Sequence, residues 1–98
     1  MIIVLGSVTT SQGHLVEALA LSHEHVARSR GEPGCLSHAV HQDTENPQRL
    51  VFVEQWSDQA ALTRHFQVPA SRAFVKALSA LAIDPPKLEM YEVTQIQG

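Results

Sequence analysis

The sequence lacks the features that would place this protein in several common functional classes. Cys35 is its single cysteine, which excludes an internal disulfide and a zinc site built from cysteines. Lysine and arginine number 7 against 10 aspartate and glutamate residues and form no basic cluster, so no nucleic-acid partner is expected. The longest apolar run, Met1 to Leu5, is far too short to span a membrane.

The amino terminus also lacks the charged region and cleavage site of a signal peptide, so a cytoplasmic location is the default expectation. The composition that remains is ordinary for a folded protein, with 44% hydrophobic residues. The length of 98 residues predicts one domain over 1–98 with a modest core. Six histidines are many for this length, which raises the question of whether they cluster.

Apolar periodicity predicts four strands and three helices, the last two of which are consecutive. The predicted order is a strand over 1–9, a helix from about 11 to 30, hairpin strands over 35–42 and 49–56, a short helix containing His65, a helix over 69–81 and a strand over 87–96. His23 and His25 are two apart on the first helix and do not face each other, so both are expected to be solvated.

This β-α-β-β-α-β order predicts a ferredoxin-like α+β fold, with the helices on one face of a four-stranded antiparallel sheet. The strands are nevertheless apolar on both sides, since Phe52 and Trp56 oppose Val51 and Val53. Four strands of about seven residues present a second face of roughly 440 Å². That area is near the largest apolar patch a monomer usually exposes, so we expect a homodimer with its two sheets packed face to face.

The second hairpin strand and the helix after it carry the most informative side chains. Glu54 and the single tryptophan, Trp56, are two apart and therefore share a face of the strand. A carboxylate within an apolar strand is costly to bury unless it is paired. His65 lies on a helix face that also holds Leu62 and Phe66, so its imidazole is expected to point inward.

His38 and His41 lie on opposite faces of the first hairpin strand, and the hairpin register decides which one joins Glu54. The simplest four-residue loop would place Ser37 and Ala39 on the face of Glu54. One bulge would bring His38 there instead.

These residues resemble the antibiotic biosynthesis monooxygenase domain family, a branch of the dimeric α/β-barrel superfamily. The resemblance covers nearly the whole chain and is carried by Glu32-Pro33-Gly34-Cys35-Leu36, Asp43 with Asn46-Pro47, Glu54-Gln55-Trp56 with Asp58, Ala61-Leu62, His65, Pro69 and Phe74. Similar proteins include small quinol monooxygenases and polyketide anthrone oxygenases. Many quinol-monooxygenase-like members have Ser and His where this chain has Val68 and Ala70, and the residue triad of the haem-degrading members is absent.

The resemblance implies a homodimeric monooxygenase that needs no metal and no bound cofactor. A quinol or polycyclic phenol loses a proton, its anion reduces O₂ by one electron, and the radical pair recombines. The implied catalytic residues are His65, as base or substrate ligand, and Glu54, which orients or charges it. The residues expected to bind the aromatic substrate are Trp56, Phe52, His38, Phe66, Phe74 and Tyr91.

Each of these side chains also fits a structural role, because inward polar groups are usually hydrogen-bonded and tryptophan usually packs in the core. Two other functions therefore stay open on this scaffold. One is a non-redox isomerase of a small carbonyl metabolite, with His65 or His41 as acid–base group and Arg49, Arg64 or Arg72 as anchor. The other is a dimeric small-molecule-binding protein without catalysis, which the missing second helix histidine favours.

Overall fold

The computed structural model describes residues 1–97. Its strands are β1 (Ile2–Thr9), β2 (Cys35–Gln42), β3 (Arg49–Trp56) and β4 (Lys87–Glu92), and its helices are α1 (Leu15–Ser29), α2 (Gln59–Gln67) and α3 (Pro69–Ala80). The strands form one antiparallel sheet in the order β2–β3–β1–β4, which confirms the predicted ferredoxin-like α+β fold. Within residues 1–97, no helix has both the length and the apolar character needed to cross a membrane.

Two predicted elements are longer than the observed ones. α1 begins at Leu15 rather than near Ser11, because Gly13 has a φ of +89° that a right-handed helix cannot include. The Ser11 hydroxyl instead donates to the carbonyl oxygen of the residue after α3, at 3.2 Å. β4 ends at Glu92 rather than Ile96. The pairing with β1 ends at this point, because Glu92 pairs with Ile2, the first residue of β1.

The buried face of α1 is lined mainly by small side chains. The buried residues of this helix are Ala18, Ser22, His25, Val26 and Ser29. Both serine hydroxyls donate to carbonyl oxygens one turn earlier, each at 2.7 Å, so neither needs a partner on the sheet. The prediction that His25 is solvated is wrong, because His25 lies on this small-residue face and is only 5% exposed.

The register of the β2–β3 hairpin brings His38 opposite Glu54. The N–H of Asp43 donates to the carbonyl oxygen of Arg49 at 2.9 Å, which leaves a five-residue loop over 44–48 rather than the expected four-residue loop. One additional loop residue reverses which side chains of β2 share a face with Glu54. His38 therefore lies on the inner face of the sheet, whereas His41 lies on the outer face and is exposed.

Glu54 separates two apolar clusters of the core. Phe52 belongs to one cluster, with residues from β1, α1 and α3, and Trp56 belongs to the other, with residues from β1 and α2. Phe52, Glu54 and Trp56 alternate along the inner face of β3, so the carboxylate lies where the clusters meet. The candidate site lies at this polar interruption between the two apolar clusters.

The outer face of the sheet carries apolar side chains that the helices do not cover. Leu5 of β1 pairs with Val53 of β3 near its centre, beside Ile3 and Val51. Leu5 is 40% exposed, whereas its neighbour Val4 on the helix side is fully buried. The apolar second face expected from the strand pattern is therefore present in the single chain.

Gly34 should tolerate alanine poorly. Its φ of +84° disfavours any side chain, and an added Cβ would lie 2.5 Å from Cβ of Ala61 and 2.8 Å from Oγ of Ser57. We expect Gly34→Ala to lower the free energy of unfolding by about 2–4 kcal/mol, since backbone strain and overpacking add. The control is Gly13→Ala, where φ is +89° but nothing lies within 4 Å, so strain alone should cost about 1–2 kcal/mol. Equal losses in urea unfolding would contradict this account.

Candidate functional site

The site is built around the carboxylate of Glu54, which is 6% exposed. Trp56 lies on the same strand face, and its Nε1–H donates to Oε1 of Glu54 at 2.9 Å. This charge-assisted hydrogen bond compensates part of the cost of burying the carboxylate. The indole itself is fully buried in the core, which fixes the position of the N–H that the carboxylate accepts.

Three buried imidazoles, each from a different element, surround this carboxylate. They belong to His25 of α1, His38 of β2 and His65 of α2. Their ring centroids are 5.2 Å (25–38), 5.4 Å (25–65) and 5.7 Å (38–65) apart. Oε1 of Glu54 lies 3.3 Å from Nε2 of His38 and 4.0 Å from Nε2 of His65. The six histidines therefore do cluster in part, with three of them in the core.

A second carboxylate fixes the orientation of His65. Nδ1 of His65 lies 2.9 Å from Oε1 of Glu32, in the turn that follows α1. A carboxylate accepts hydrogen bonds, so Nδ1–H is the donor and Nε2 is the ring nitrogen left for a second partner. The helix that carries His65 starts at Asp58, whose side chain accepts the N–H of Ala61 at 2.8 Å. Nε2 of His65 is therefore held on the side of Glu54.

The surroundings lower the pKa of both His25 and Glu54. Burial, the charges of the two neighbouring imidazoles and the Arg28 guanidinium together lower the pKa of His25 to about 3. Burial alone would raise the pKa of Glu54, but the adjacent His38 imidazole and the Trp56 hydrogen bond hold it below its ordinary value. Near neutral pH, His25 is therefore uncharged and Glu54 is ionised.

A cavity of about 100 Å³, open on one side, begins at this polar group and runs between the sheet and α3. Its walls are almost entirely apolar and include Phe52, Phe66, Phe74, Val75, Leu78 and Leu88. The polar side chains at its inner end are His25, Glu54 and His65. This arrangement suits a flat apolar molecule whose polar end meets an imidazole and a carboxylate.

Five of the eight predicted site residues line this cavity, namely His65, Glu54, Phe52, Phe66 and Phe74. The other three do not. His38 is buried behind the cavity wall, against Glu54. Trp56 is fully enclosed by core residues, so the indole cannot stack on a molecule in this cavity. Tyr91 lies on the outer face of the sheet, where it is 47% exposed and its hydroxyl donates to Glu89.

Sequence reasoning missed His25 and Glu32 as members of the site. The signal for His25 was the small-residue spacing Ala18, Ser22 and Ser29, which marks the helix face that packs most closely. In the sequence, Glu32 stands out only as part of the Glu-Pro-Gly turn. Its contact with His65 spans 33 positions and depends on how α2 packs beside that turn, which no local pattern encodes.

Comparison with known proteins agrees with this architecture. A family model described as antibiotic biosynthesis monooxygenase matches residues 1–77. The chain belongs to the antibiotic biosynthesis monooxygenase family. The matched range includes all three buried histidines and both carboxylates of the site. The family resemblance inferred from the sequence is confirmed.

Solved structures show the same fold. A Deinococcus radiodurans protein that carries the family name is 26% identical, with a TM-score of 0.94 over 100% of this chain and 97% of its own. A Pseudomonas aeruginosa protein is 29% identical, with a TM-score of 0.85 over 96% of this chain and 94% of its own. An uncharacterized Synechocystis protein is 32% identical over 98% of this chain, which spans only 65% of that relative's length.

Proposed function

We propose that this member of the family is a monooxygenase that transfers one oxygen atom of O₂ to a hydroquinone or polycyclic phenol, with His65 as the base. The observation that carries the proposal is the environment of this imidazole. Its Nδ1–H is held by Glu32 at 2.9 Å, while its Nε2 is directed to the polar end of an apolar cavity beside Glu54. A free imidazole lone pair within an apolar cavity is well suited to accept a phenolic proton.

The cavity can take one end of an aromatic substrate. An apolar cavity of about 150 Å³ in another protein binds benzene, and this cavity of about 100 Å³ is open, so a ring can extend past its rim. The ring centroids of Phe52 and Phe74 lie 6.0 Å apart, and the ring planes meet at 72° in an edge-to-face arrangement. A substrate ring can contact both in edge and face orientations.

The reaction balances without an external reductant. His65 removes a proton from the hydroquinone, and the anion transfers one electron to O₂. The semiquinone and superoxide recombine to a hydroperoxide through a new carbon–oxygen bond. Cleavage of the O–O bond releases water and leaves a hydroxyquinone. The hydroquinone supplies all four electrons that O₂ takes up, and the proton on His65 leaves with the water.

The isomerase alternative finds less support in the cavity. A small charged metabolite needs cationic anchors, yet Arg49, Arg64 and Arg72 lie outside the cavity lining. Lys87, at the rim, is the cationic side chain among the lining residues. The composition of the wall favours an apolar ring over a polar chain.

Oxygen consumption by the purified protein tests the proposal directly. We expect O₂ to be taken up faster than in the uncatalysed reaction with at least one member of a panel of naphthoquinols, benzohydroquinones and anthrones. Isotopically labelled O₂ should place one labelled oxygen in the quinone product. The exposed His41 supplies a matched control, since His41→Ala should leave the rate unchanged. Uptake no faster than the uncatalysed reaction across the whole panel would rule the proposal out.

We also propose that two chains pack through their outer sheet faces. Support comes from the exposed apolar group around Leu5 and Val53, and from the location of all three helices on the other side. Leu5→Glu places a charge at the centre of this face and should yield monomers in sedimentation velocity runs. Val16→Glu, on α1 and 82% exposed, is the control and should remain dimeric. A wild-type chain that stays monomeric at low micromolar concentration would refute the dimer.

A further inference from the structure

We propose that His25, His38 and His65 form a binding site for a divalent transition-metal ion, with Glu54 as a fourth ligand. Zn²⁺ is the probe we choose, because imidazole is among its usual ligands. Each histidine has one ring nitrogen that lies within 4.8 Å of a ring nitrogen of each of the other two. This inference stands on the histidine cluster alone and does not rest on the proposed oxidation.

The spacing of the rings already matches a common metal centre. Three imidazoles bound to one tetrahedral Zn²⁺ at about 2.0–2.1 Å have ring centroids roughly 5 Å apart. The observed centroid separations are 5.2, 5.4 and 5.7 Å. The coordinating nitrogens need to approach one another by about 1.5 Å at most, which small side-chain rotations provide. The backbone of α1, β2 and α2 can stay in place.

His38 supplies an independent indication of a ligand. It is 2% exposed, yet neither of its ring nitrogens has a hydrogen-bond partner within residues 1–97. Nε2 of His38 lies 3.3 Å from Oε1 of Glu54, but this contact lacks hydrogen-bond alignment. Buried polar groups are nearly always partnered. A metal ion between this ring and its neighbours would give Nε2 a partner.

The surroundings also have the features of a metal site. Glu32 accepts Nδ1–H of His65, and a carboxylate on the ring nitrogen that does not bind the metal orients many metal-bound histidines. Three imidazoles and the Glu54 carboxylate suit a borderline divalent cation. An ion can enter through the open cavity, because His25, Glu54 and His65 line its inner end.

Arg28 is the group that opposes binding. Its Nη2 donates to Nδ1 of His25 at 2.9 Å, which leaves Nε2 as the nitrogen of that ring available to an ion. Coordination through Nε2 would place a proton on Nδ1 and displace the guanidinium. Removing this positive charge should therefore strengthen binding. We expect Arg28→Gln to raise the Zn²⁺ affinity about 10-fold.

Calorimetric titration of the chelator-treated, full-length chain with Zn²⁺ tests the inference. We expect one ion per chain with sub-micromolar affinity. Co²⁺ in the same site should give the visible absorption bands of a four-coordinate ion. Glu32→Gln, which changes only the hydrogen-bond partner of His65, should reduce the affinity roughly 10–100-fold. His38→Phe and His25→Phe should each reduce it by more. Circular dichroism of each variant shows whether its fold is retained.

Two exposed histidines provide the matched controls. His23→Ala and His41→Ala should leave both affinity and stoichiometry unchanged. Equal binding by wild type and by His25→Phe, or binding lost in the two surface variants, would overturn the inference. Should His38→Phe fail to fold, His25→Phe and Glu54→Gln decide the question, since His25 stacks on Phe74 in parallel at 4.0 Å and phenylalanine preserves that contact.

The outcome is separable from that of the proposed oxidation. A bound ion occupies Nε2 of His65, so Zn²⁺ should inhibit oxygen consumption with a midpoint equal to its calorimetric dissociation constant. Zn²⁺ binding in a chain that oxidises no quinol would support the metal site and refute the oxidation. Quinol oxidation by a chain that binds no Zn²⁺ would do the reverse.

Discussion

Replacing His65 by alanine should lower the rate of substrate-dependent oxygen consumption by roughly 10²–10⁴-fold, the usual contribution of a positioned general base. His65 is 3% exposed and is the one imidazole that combines a fixed Nδ1–H with a place in the cavity wall. Alanine removes the proton acceptor, whereas the apolar cavity should still hold the ring. We therefore expect kcat to fall far more than KM rises.

Glu32→Gln tests whether the charge beside His65 assists proton transfer, because it removes that charge with little change in side-chain size. Its amide oxygen can still accept Nδ1–H of His65, but the negative charge that stabilises the protonated imidazole is lost. An intermediate rate, about 10-fold below wild type, is the expected result. If His65→Ala kept more than a third of the wild-type rate at saturating substrate, His65 would not be the base and the proposed mechanism would fail.

Replacing Trp56 by alanine should produce the largest loss of stability of any single change considered. Trp56 is fully buried between Ile2, Val4 and Leu62, and truncation of a core tryptophan costs about 3–5 kcal/mol. The change also removes the N–H that the Glu54 carboxylate accepts at 2.9 Å. A domain of ordinary stability has about 5–15 kcal/mol in total, so the variant should be close to unfolding at physiological temperature.

Trp56→Phe is the matched control, because phenylalanine keeps most of the packing and lacks only the donor. Loss of a hydrogen bond to a charged group costs about 1.5–3 kcal/mol. Urea unfolding followed by circular dichroism measures both variants, since the single tryptophan fluorophore is absent from each. A Trp56→Ala chain within 1 kcal/mol of wild type would contradict the core position of the indole.

Oxygen consumption by Trp56→Phe tests the revised role of this residue. The indole lies outside the cavity lining, so KM for the aromatic substrate should change little. Any fall in kcat should follow from the altered position of Glu54. A large rise in KM would instead restore the ring-stacking role that the sequence suggested.

The element order and the two faces of the sheet were accessible from the sequence because they depend on local periodicity. The alternation of β3 alone placed Phe52, Glu54 and Trp56 on one face, and the stripe of α2 directed His65 inward. The family could be recognised for a related reason, since the turn after α1 and the residues of β3 form a continuous signature.

The composition of the site, by contrast, was decided by tertiary structure. One additional residue in the β2–β3 loop determined that His38 rather than His41 meets Glu54. The close approach of α1 through small side chains buried His25, and the packing of α2 beside the turn brought Glu32 to His65. No sequence spacing predicts a three-histidine cluster whose members come from three elements, because only the packing of those elements sets the distances between them.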